Sequence, residues 1–234
     1  MLGLPDTIKA LLFDMDGVLT QTAKVHAAAW KQMFDDYLRE RGKGDEPFTL
    51  PRDYEEHVDG KPRYDGVRDF LVSRGIAPDE ALVKRLGDRK NDLVQALIRK
   101  DGVETYEGSV RYVKAAREAG LKTAVVSSSK NTPEILEAAG IADLFDDVVD
   151  GHAVEDRGIK GKPAPDTFLA AAKDLGVEPA HAAVFEDALA GVAAGHAGHF
   201  GHVVGVDRGD EAGALREHGA DVVVGDLADL LTAR

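Results

Sequence analysis

Short apolar runs recur along the chain, separated by longer stretches in which apolar residues return every three or four positions. The runs are Lys9–Phe13, Lys122–Val126, Asp147–Val149, Ala182–Phe185, His202–Val206 and Asp221–Val223. Each is strand-sized, rich in Val, Ala and Leu, and continuous instead of alternating, which predicts strands covered on both faces of a parallel sheet. The intervening stretches Val110–Ala119, Pro133–Ala139, Pro165–Leu175, Leu189–Ala197 and Ala212–His218 carry helical spacing. Pro133 and Pro165 stand at helix starts, where a missing N–H costs little, and Gly120, Gly140 and Gly176 stand just past helix ends. The pattern predicts an α/β chain with a doubly wound, Rossmann-like parallel-sheet core.

One interval departs from the alternation. From about Thr20 to Lys100 the spacing is helical, over Lys24–Tyr37, Tyr64–Ser73, Asp79–Leu86 and Asp88–Arg99, with a loop over Lys43–Pro51 and no strand. So long a helical insertion after the first strand predicts a second, smaller domain. Residues 21–100 are assigned to it, and residues 1–20 and 101–234 to the sheet core. Charge follows the same division, because residues 51–100 hold 11 Lys and Arg against 10 Asp and Glu while the whole chain is strongly acidic.

The 234 residues include 29 Lys and Arg and 42 Asp and Glu, a net charge of −13, and no cysteine. Without cysteine there are no disulfides, thiolate zinc sites, iron–sulfur ligands or thiol nucleophiles. A surface this acidic argues against nucleic acid and anionic membranes as partners, so an anionic ligand must be held by a few local cations. No stretch reaches the length of a membrane span and the N-terminus lacks the pattern of a secretory signal, so the expected location is cytoplasmic.

Candidate chemistry gathers at strand ends. Phe13-Asp14-Met15-Asp16-Gly17 ends the first strand in two carboxylates, where open α/β sheets bind their ligands. Such a pair can hold Mg²⁺, or supply a nucleophile beside a proton-transfer group, or simply form a polar turn. A calcium loop starting here would need Gly and Glu where Leu19 and Val25 stand. The second strand runs into Ser127, Ser128, Ser129, Lys130 and Asn131 before a helix, a set of donors that suits a phosphate, although Asn131 with Glu134 also fits helix capping. Lys162-Pro163-Ala164-Pro165-Asp166 places one lysine before a rigid helix entry, and Glu186-Asp187 ends a later strand in two more acids. His196, His199 and His202 share a spacing that could suggest a transition-metal site, but their interleaved glycines favour a polar connecting loop.

In this order the segments Asp14-Met15-Asp16-Gly17-Val18, Arg89-Lys90-Asn91-Asp92, Ser127-Ser128-Ser129-Lys130-Asn131 and Lys162-Pro163-Ala164-Pro165-Asp166 resemble the haloacid dehalogenase-like phosphotransferases, and within them the β-phosphoglucomutase-like branch. The resemblance covers essentially the whole chain. It implies an Mg²⁺-dependent transfer in which Asp14 is the nucleophile, Asp16 the general acid and base, and Lys162 the charge that offsets repulsion between nucleophile and phosphate. It further implies metal ligation by Asp14, the Asp16 main-chain carbonyl and Asp187, with Glu186 beside them. Ser127 would donate to the transferring group, with Ser128 next to it, and Ser129, Lys130 and Asn131 would hold a second phosphate.

The insertion would then be a mobile cap that excludes water. Thr22 and His26 would serve the acid/base residue, Trp30 and Gly60 would line the substrate site, Arg63 would grip the distal phosphate and Lys90 would face the sugar. Ordinary packing explains Thr22, His26 and Trp30 as well, since they share one helical face. Asp59 departs from the pattern, standing where glucose-acting members carry Lys. The implied partner is a small phosphorylated sugar, handled by a monomer. The expected reaction converts β-glucose 1-phosphate to glucose 6-phosphate through the 1,6-bisphosphate; the alternative is a sugar-phosphate phosphatase built on the same aspartate. A receiver module also places acids, a hydroxyl and a lysine at strand ends, but on a shorter chain without a helical insertion.

Overall fold

The computed structural model describes residues 2–42, 44, 46–58, 61 and 63–232. Its strands are β1 (Ala10–Phe13), β2 (Lys122–Val126), β3 (Asp147–Val149), β4 (Ala182–Glu186), β5 (His202–Val206) and β6 (Val222–Val224). All pair in parallel, in the order β3-β2-β1-β4-β5-β6. The α-helices are α1 (Thr22–Glu40), α2 (Arg52–His57), α3 (Arg63–Ser73), α4 (Glu80–Asp101), α5 (Glu107–Glu118), α6 (Thr132–Ala138), α7 (Gly151–Arg157), α8 (Asp166–Asp174), α9 (Leu189–Ala197), α10 (Ala212–Glu217) and α11 (Asp229–Thr232). They fall into two compact units, Met1–Gln21 with Val103–Arg234, and Thr22–Gly102.

The sheet unit is covered on both faces, which is why its strands read as unbroken apolar runs. Leu12 and Val184 pack on one side with Phe168 of α8 and Val192 of α9. On the other, Phe13 stacks on Phe185 at 4.5 Å between ring centroids, and Tyr112 of α5 packs against Phe185 at 5.5 Å. Each fully buried side chain of this size contributes about 2–3 kcal/mol. Chain order reverses around β1: β2 and β3 extend the sheet one way, β4 to β6 the other. The carboxyl ends of β1 and β4 therefore meet at the switch point, the place in such sheets where a crevice opens.

The helical unit has its own core, in which Trp30, Met33, Phe34, Phe48, Phe70 and Leu86 are buried together. Phe34 is central, with ring centroids 3.9 Å from Phe70 and 5.3 Å from Phe48. Beneath this cluster lies a buried carboxylate: Asp53 accepts bonds from Thr49 N and Oγ1 at 2.7 and 2.8 Å and from Arg74 Nη2 at 2.7 Å. No helix among the described residues is long and apolar enough to cross a membrane.

Several expectations are corrected. The helices expected over 79–86 and 88–99 are one helix, α4, capped by the Asp79 carboxylate accepting from Leu82 N at 2.8 Å. Gly87 does not break it; a Cβ there would lie 2.6 Å from the Tyr64 ring, so the glycine admits that ring against α4. An interior glycine costs about 1 kcal/mol, less than the buried face of Leu82, Val83, Val94 and Ile98 returns. Helices α2 and α7 were not expected, because neither carries an apolar stripe; α7 is instead set by Asp150 accepting from Ala153 N and by Gly158 in the left-handed conformation. The last strand begins one residue later than expected, since the Asp221 carboxylate turns back to accept from Val203 N at 2.8 Å.

Candidate functional site

Strand register alone brings the Asp14 and Glu186 segments together. Phe13 pairs with Phe185 on one side and with Val125 on the other, so Asp14 emerges between Glu186 and the start of the serine-rich loop. Its amide donates to Phe185 O at 2.9 Å. Lys162, in the loop before α8, reaches into this position. Its ammonium lies 2.5 Å from Asp14 Oδ1 and 2.5 Å from Glu186 Oε1, donates to Val126 O at 3.1 Å, and sits 4.8 Å from the Phe168 ring centroid. Its three protons thus meet three acceptors, one just past the end of β1, one in β4 and one in β2. Glu186 is 1% exposed, and its other oxygen accepts from Ala188 N at 2.9 Å.

Asp187 completes a group of three acids with Asp14 and Glu186, whose ligand atoms all lie within 4.8 Å of one another. Room for it comes from Gly17, which has φ +78°, and where a Cβ would fall 1.8 Å from Asp187 Oδ2. Asp16 lies in the same tight loop, in which Gly17 N donates to Thr20 O at 2.9 Å and Thr20 Oγ1 to Met15 O at 3.2 Å. The single ammonium does not balance these carboxylates. Burial, then the charges of Glu186 and Asp16, push Asp14 up to about 8 although Lys162 opposes the shift. Burial, then Glu186, Asp14 and Asp16, push Asp187 up to about 9. Burial also works against the charge of Lys162, but Asp14 and Glu186 outweigh it and raise its pKa. An all-carboxylate cluster short of positive charge is suited to a hard divalent cation.

The loop after β2 is ordered by its own hydroxyls. Ser127 Oγ accepts from Ser129 N and Ser129 Oγ from Asn131 N, both at 3.2 Å, while Thr132 Oγ1 donates to Ser129 O at 2.8 Å. Ser128 is exposed and Asn131 buried. Asn131 occupies the cap position of α6 without a side-chain capping bond, so the capping explanation does not hold for it. Lys130 pairs with Glu155 of α7. Through Val126 O, Lys162 ties the start of this loop to the acids.

The helical unit gathers a second set. Thr22, His26 and Trp30 lie along α1, and Lys90 of α4 joins two of them: its Nζ is 2.7 Å from His26 Nδ1 and 4.9 Å from the Trp30 ring centroid. Arg63 opens α3, with its guanidinium 5.8 Å from the Tyr64 ring centroid. Gly60 and Asp59 lie outside the described residues. The three histidines are spread over the end of α9, a turn and the first residue of β5; among the described residues the metal-competent group is the acid cluster alone.

Two residues at the sheet unit's site were not singled out from sequence. Arg208, just after β5, donates from Nε to Gly17 O at 2.7 Å and lies 3.5 Å from the ring centroid of Tyr106. Its position just beyond a strand's carboxyl end was the available signal.

Residues 8–199 match the family model described as haloacid dehalogenase-like hydrolase. The β-phosphoglucomutase of Mycobacterium tuberculosis (strain CDC 1551 / Oshkosh) is 52% identical over 247 aligned positions, covering 99% of this chain and 94% of that protein. The β-phosphoglucomutase of Bacillus subtilis (strain 168) is 37% identical over 227 positions, covering 95% and 92%. Among solved structures, β-phosphoglucomutase from Clostridium difficile superposes with a TM-score of 0.77 at 27% identity, covering 95% of this chain and 93% of that one.

Proposed function

The chain belongs to the haloacid dehalogenase-like hydrolase family, and on that premise we propose that it is an Mg²⁺-dependent phosphotransferase converting β-glucose 1-phosphate to glucose 6-phosphate through the 1,6-bisphosphate. The observation that carries the reading is the Lys162 ammonium held between Asp14 and Glu186 at the switch point of the sheet. An anionic nucleophile cannot approach an anionic phosphate unless fixed positive charge offsets the repulsion, and Lys162 is fixed there by three acceptors.

In this reading an Asp14 oxygen attacks phosphorus of the bisphosphate; the Asp14–phosphorus bond forms as the phosphorus–sugar oxygen bond breaks. Asp16 gives its proton to the departing sugar oxygen and later takes one from the sugar hydroxyl that receives the phosphoryl group back. Asp14, Asp187 and the Asp16 main-chain carbonyl would hold Mg²⁺, whose charge would offset the burial and mutual repulsion that push the Asp14 and Asp187 carboxyls up. Glu186, with both oxygens engaged, orients Lys162. Ser127 and Ser128 serve the transferring phosphoryl group, and Ser129, Lys130 and Asn131 bind the other phosphate. The helical unit acts as the cap: Thr22 and His26 assist Asp16, Trp30, Gly60 and Lys90 receive the sugar, and Arg63 takes the distal phosphate.

The test is to supply β-glucose 1-phosphate, Mg²⁺ and a trace of glucose 1,6-bisphosphate, and to follow glucose 6-phosphate and free phosphate separately. Isomerisation well ahead of phosphate release is the expected result. Rapid phosphate release with negligible isomerisation would replace this reading with the phosphatase.

A further inference from the structure

We infer that Arg208 is a positioning residue for the metal-binding loop, acting through Gly17; the inference rests on the reading of Asp14, Asp16 and Asp187 given above. The Arg208 guanidinium donates from Nε to Gly17 O at 2.7 Å and from Nη1 to Gly225 O at 2.8 Å, and lies flat enough on Tyr106 for a 3.5 Å approach to its ring centroid. It therefore joins four segments of the sheet unit: the loop after β1, the chain leading into α5, the turn after β5 and the turn after β6. A guanidinium can do this because its donors form a rigid planar fork whose face also stacks on an aromatic ring. The Tyr106 platform is itself attached to the same loop, since Tyr106 N donates to Leu19 O at 3.0 Å and Ser109 Oγ to Val18 O at 2.6 Å.

Gly17 is the residue through which this reaches the metal ligands. The peptide before it carries the Asp16 carbonyl and the Gly17 N–H in one plane, and that N–H is fixed by Thr20 O at 2.9 Å. The peptide after it is fixed by Arg208. With both planes held, Gly17 keeps φ +78° and its bare Cα leaves space for Asp187, whose Oδ2 lies 1.8 Å from where a Cβ would be. Without Arg208 the Gly17 carbonyl loses this bond, and a glycine has the widest backbone range of any residue into which to relax. The Asp16 carbonyl and the Asp187 carboxylate, both assigned to the metal, would then lose their common floor.

The test is Mn²⁺ binding to the full chain, followed by the electron paramagnetic resonance of free Mn²⁺, with turnover measured across Mg²⁺ concentrations. Arg208→Lys keeps the charge and removes the fork. It is expected to weaken Mn²⁺ about tenfold, the usual scale for residues that orient metal ligands, and to lower kcat at limiting Mg²⁺ with recovery at saturating Mg²⁺. Tyr106→Leu, which leaves Arg208 in place but removes its platform, is expected to weaken Mn²⁺ about threefold. Wild-type Mn²⁺ binding in Arg208→Lys overturns the inference, as does a kcat loss that no Mg²⁺ concentration repairs. If Arg208→Lys does not fold, unchanged Mn²⁺ binding in Tyr106→Leu overturns it. If wild-type protein itself fails to bind Mn²⁺, the carboxylate reading falls along with the inference, a result distinct from failure of the variants alone.

Discussion

Lys162 and Glu186 form an ion pair at 2.5 Å in which the carboxylate is 1% exposed and its second oxygen is held by Ala188 N. Glu186 therefore cannot follow solvent, and the ammonium it fixes stays against Asp14. Lys162→Met removes the charge while keeping an unbranched apolar side chain at the position whose ammonium lies 4.8 Å from the Phe168 ring centroid. Loss of one preorganised charge stabiliser costs about 10²–10³ in kcat, and that is the expected fall, with a smaller change in KM. Asp14→Ala is expected to abolish labelling by a radioactive phosphoryl donor altogether. Retained labelling would refute Asp14 as nucleophile.

Metal binding should be tied to protons. Burial and neighbouring acids hold Asp14 at about 8 and Asp187 at about 9, above their unfolded values, in protein without metal. A carboxyl with a raised folded pKa binds its proton more tightly when folded, so its contribution to stability is lost as pH rises from the unfolded pKa through the folded one. Metal-free protein should thus melt at progressively lower temperature between about pH 4 and pH 9, and saturating Mg²⁺ should flatten the trend. Calorimetry in buffers of different ionisation enthalpy should show proton release on Mg²⁺ binding near pH 7. A metal-free melting temperature independent of pH would contradict both shifts.

The site's carboxylates were legible because a parallel strand has only one place for polar residues, its ends, and Asp14, Asp16, Glu186 and Asp187 stand at two of them. What joins them was less legible. Lys162 is 148 residues from Asp14 in sequence, and one of its three acceptors is the main-chain carbonyl of Val126, which no side chain announces. Gly87 misled for the opposite reason: a glycine inside helical spacing signals a break, whereas here it makes room for Tyr64. Helix α7 escaped because it is specified by its cap and its terminating glycine instead of by an apolar face.

In the helical unit, stability should depend on one buried carboxylate. Asp53 accepts from Thr49 twice and from Arg74; its own burial opposes ionisation, but these bonds hold its pKa below the usual value. Asp53→Ala leaves Arg74, with only 14% of its side chain exposed, facing a lost partner. Breaking such a pair from one side costs about 3 kcal/mol, to be read from urea unfolding followed by the fluorescence of Trp30. A change well under 1 kcal/mol would show that the pair is not what fixes the segment around Thr49.

Arg63 separates the mutase from its hydrolytic alternative. It stands at the first position of α3, and the reading gives it the phosphate that is not being transferred. A phosphatase gains nothing from such a grip, because its substrate carries one phosphate and leaves after one transfer. A mutase must release, turn and rebind a bisphosphate, so the distal contact counts in each half-reaction. A charge-assisted bond to phosphate contributes about 1.5–3 kcal/mol, equivalent to roughly 10- to 100-fold. Arg63→Ala should lower kcat/KM for isomerisation by that factor while changing hydrolysis of p-nitrophenyl phosphate by less than about twofold. Equal losses in the two reactions would remove Arg63 from the distal site and, with it, the main contribution of the helical unit to choosing transfer over hydrolysis.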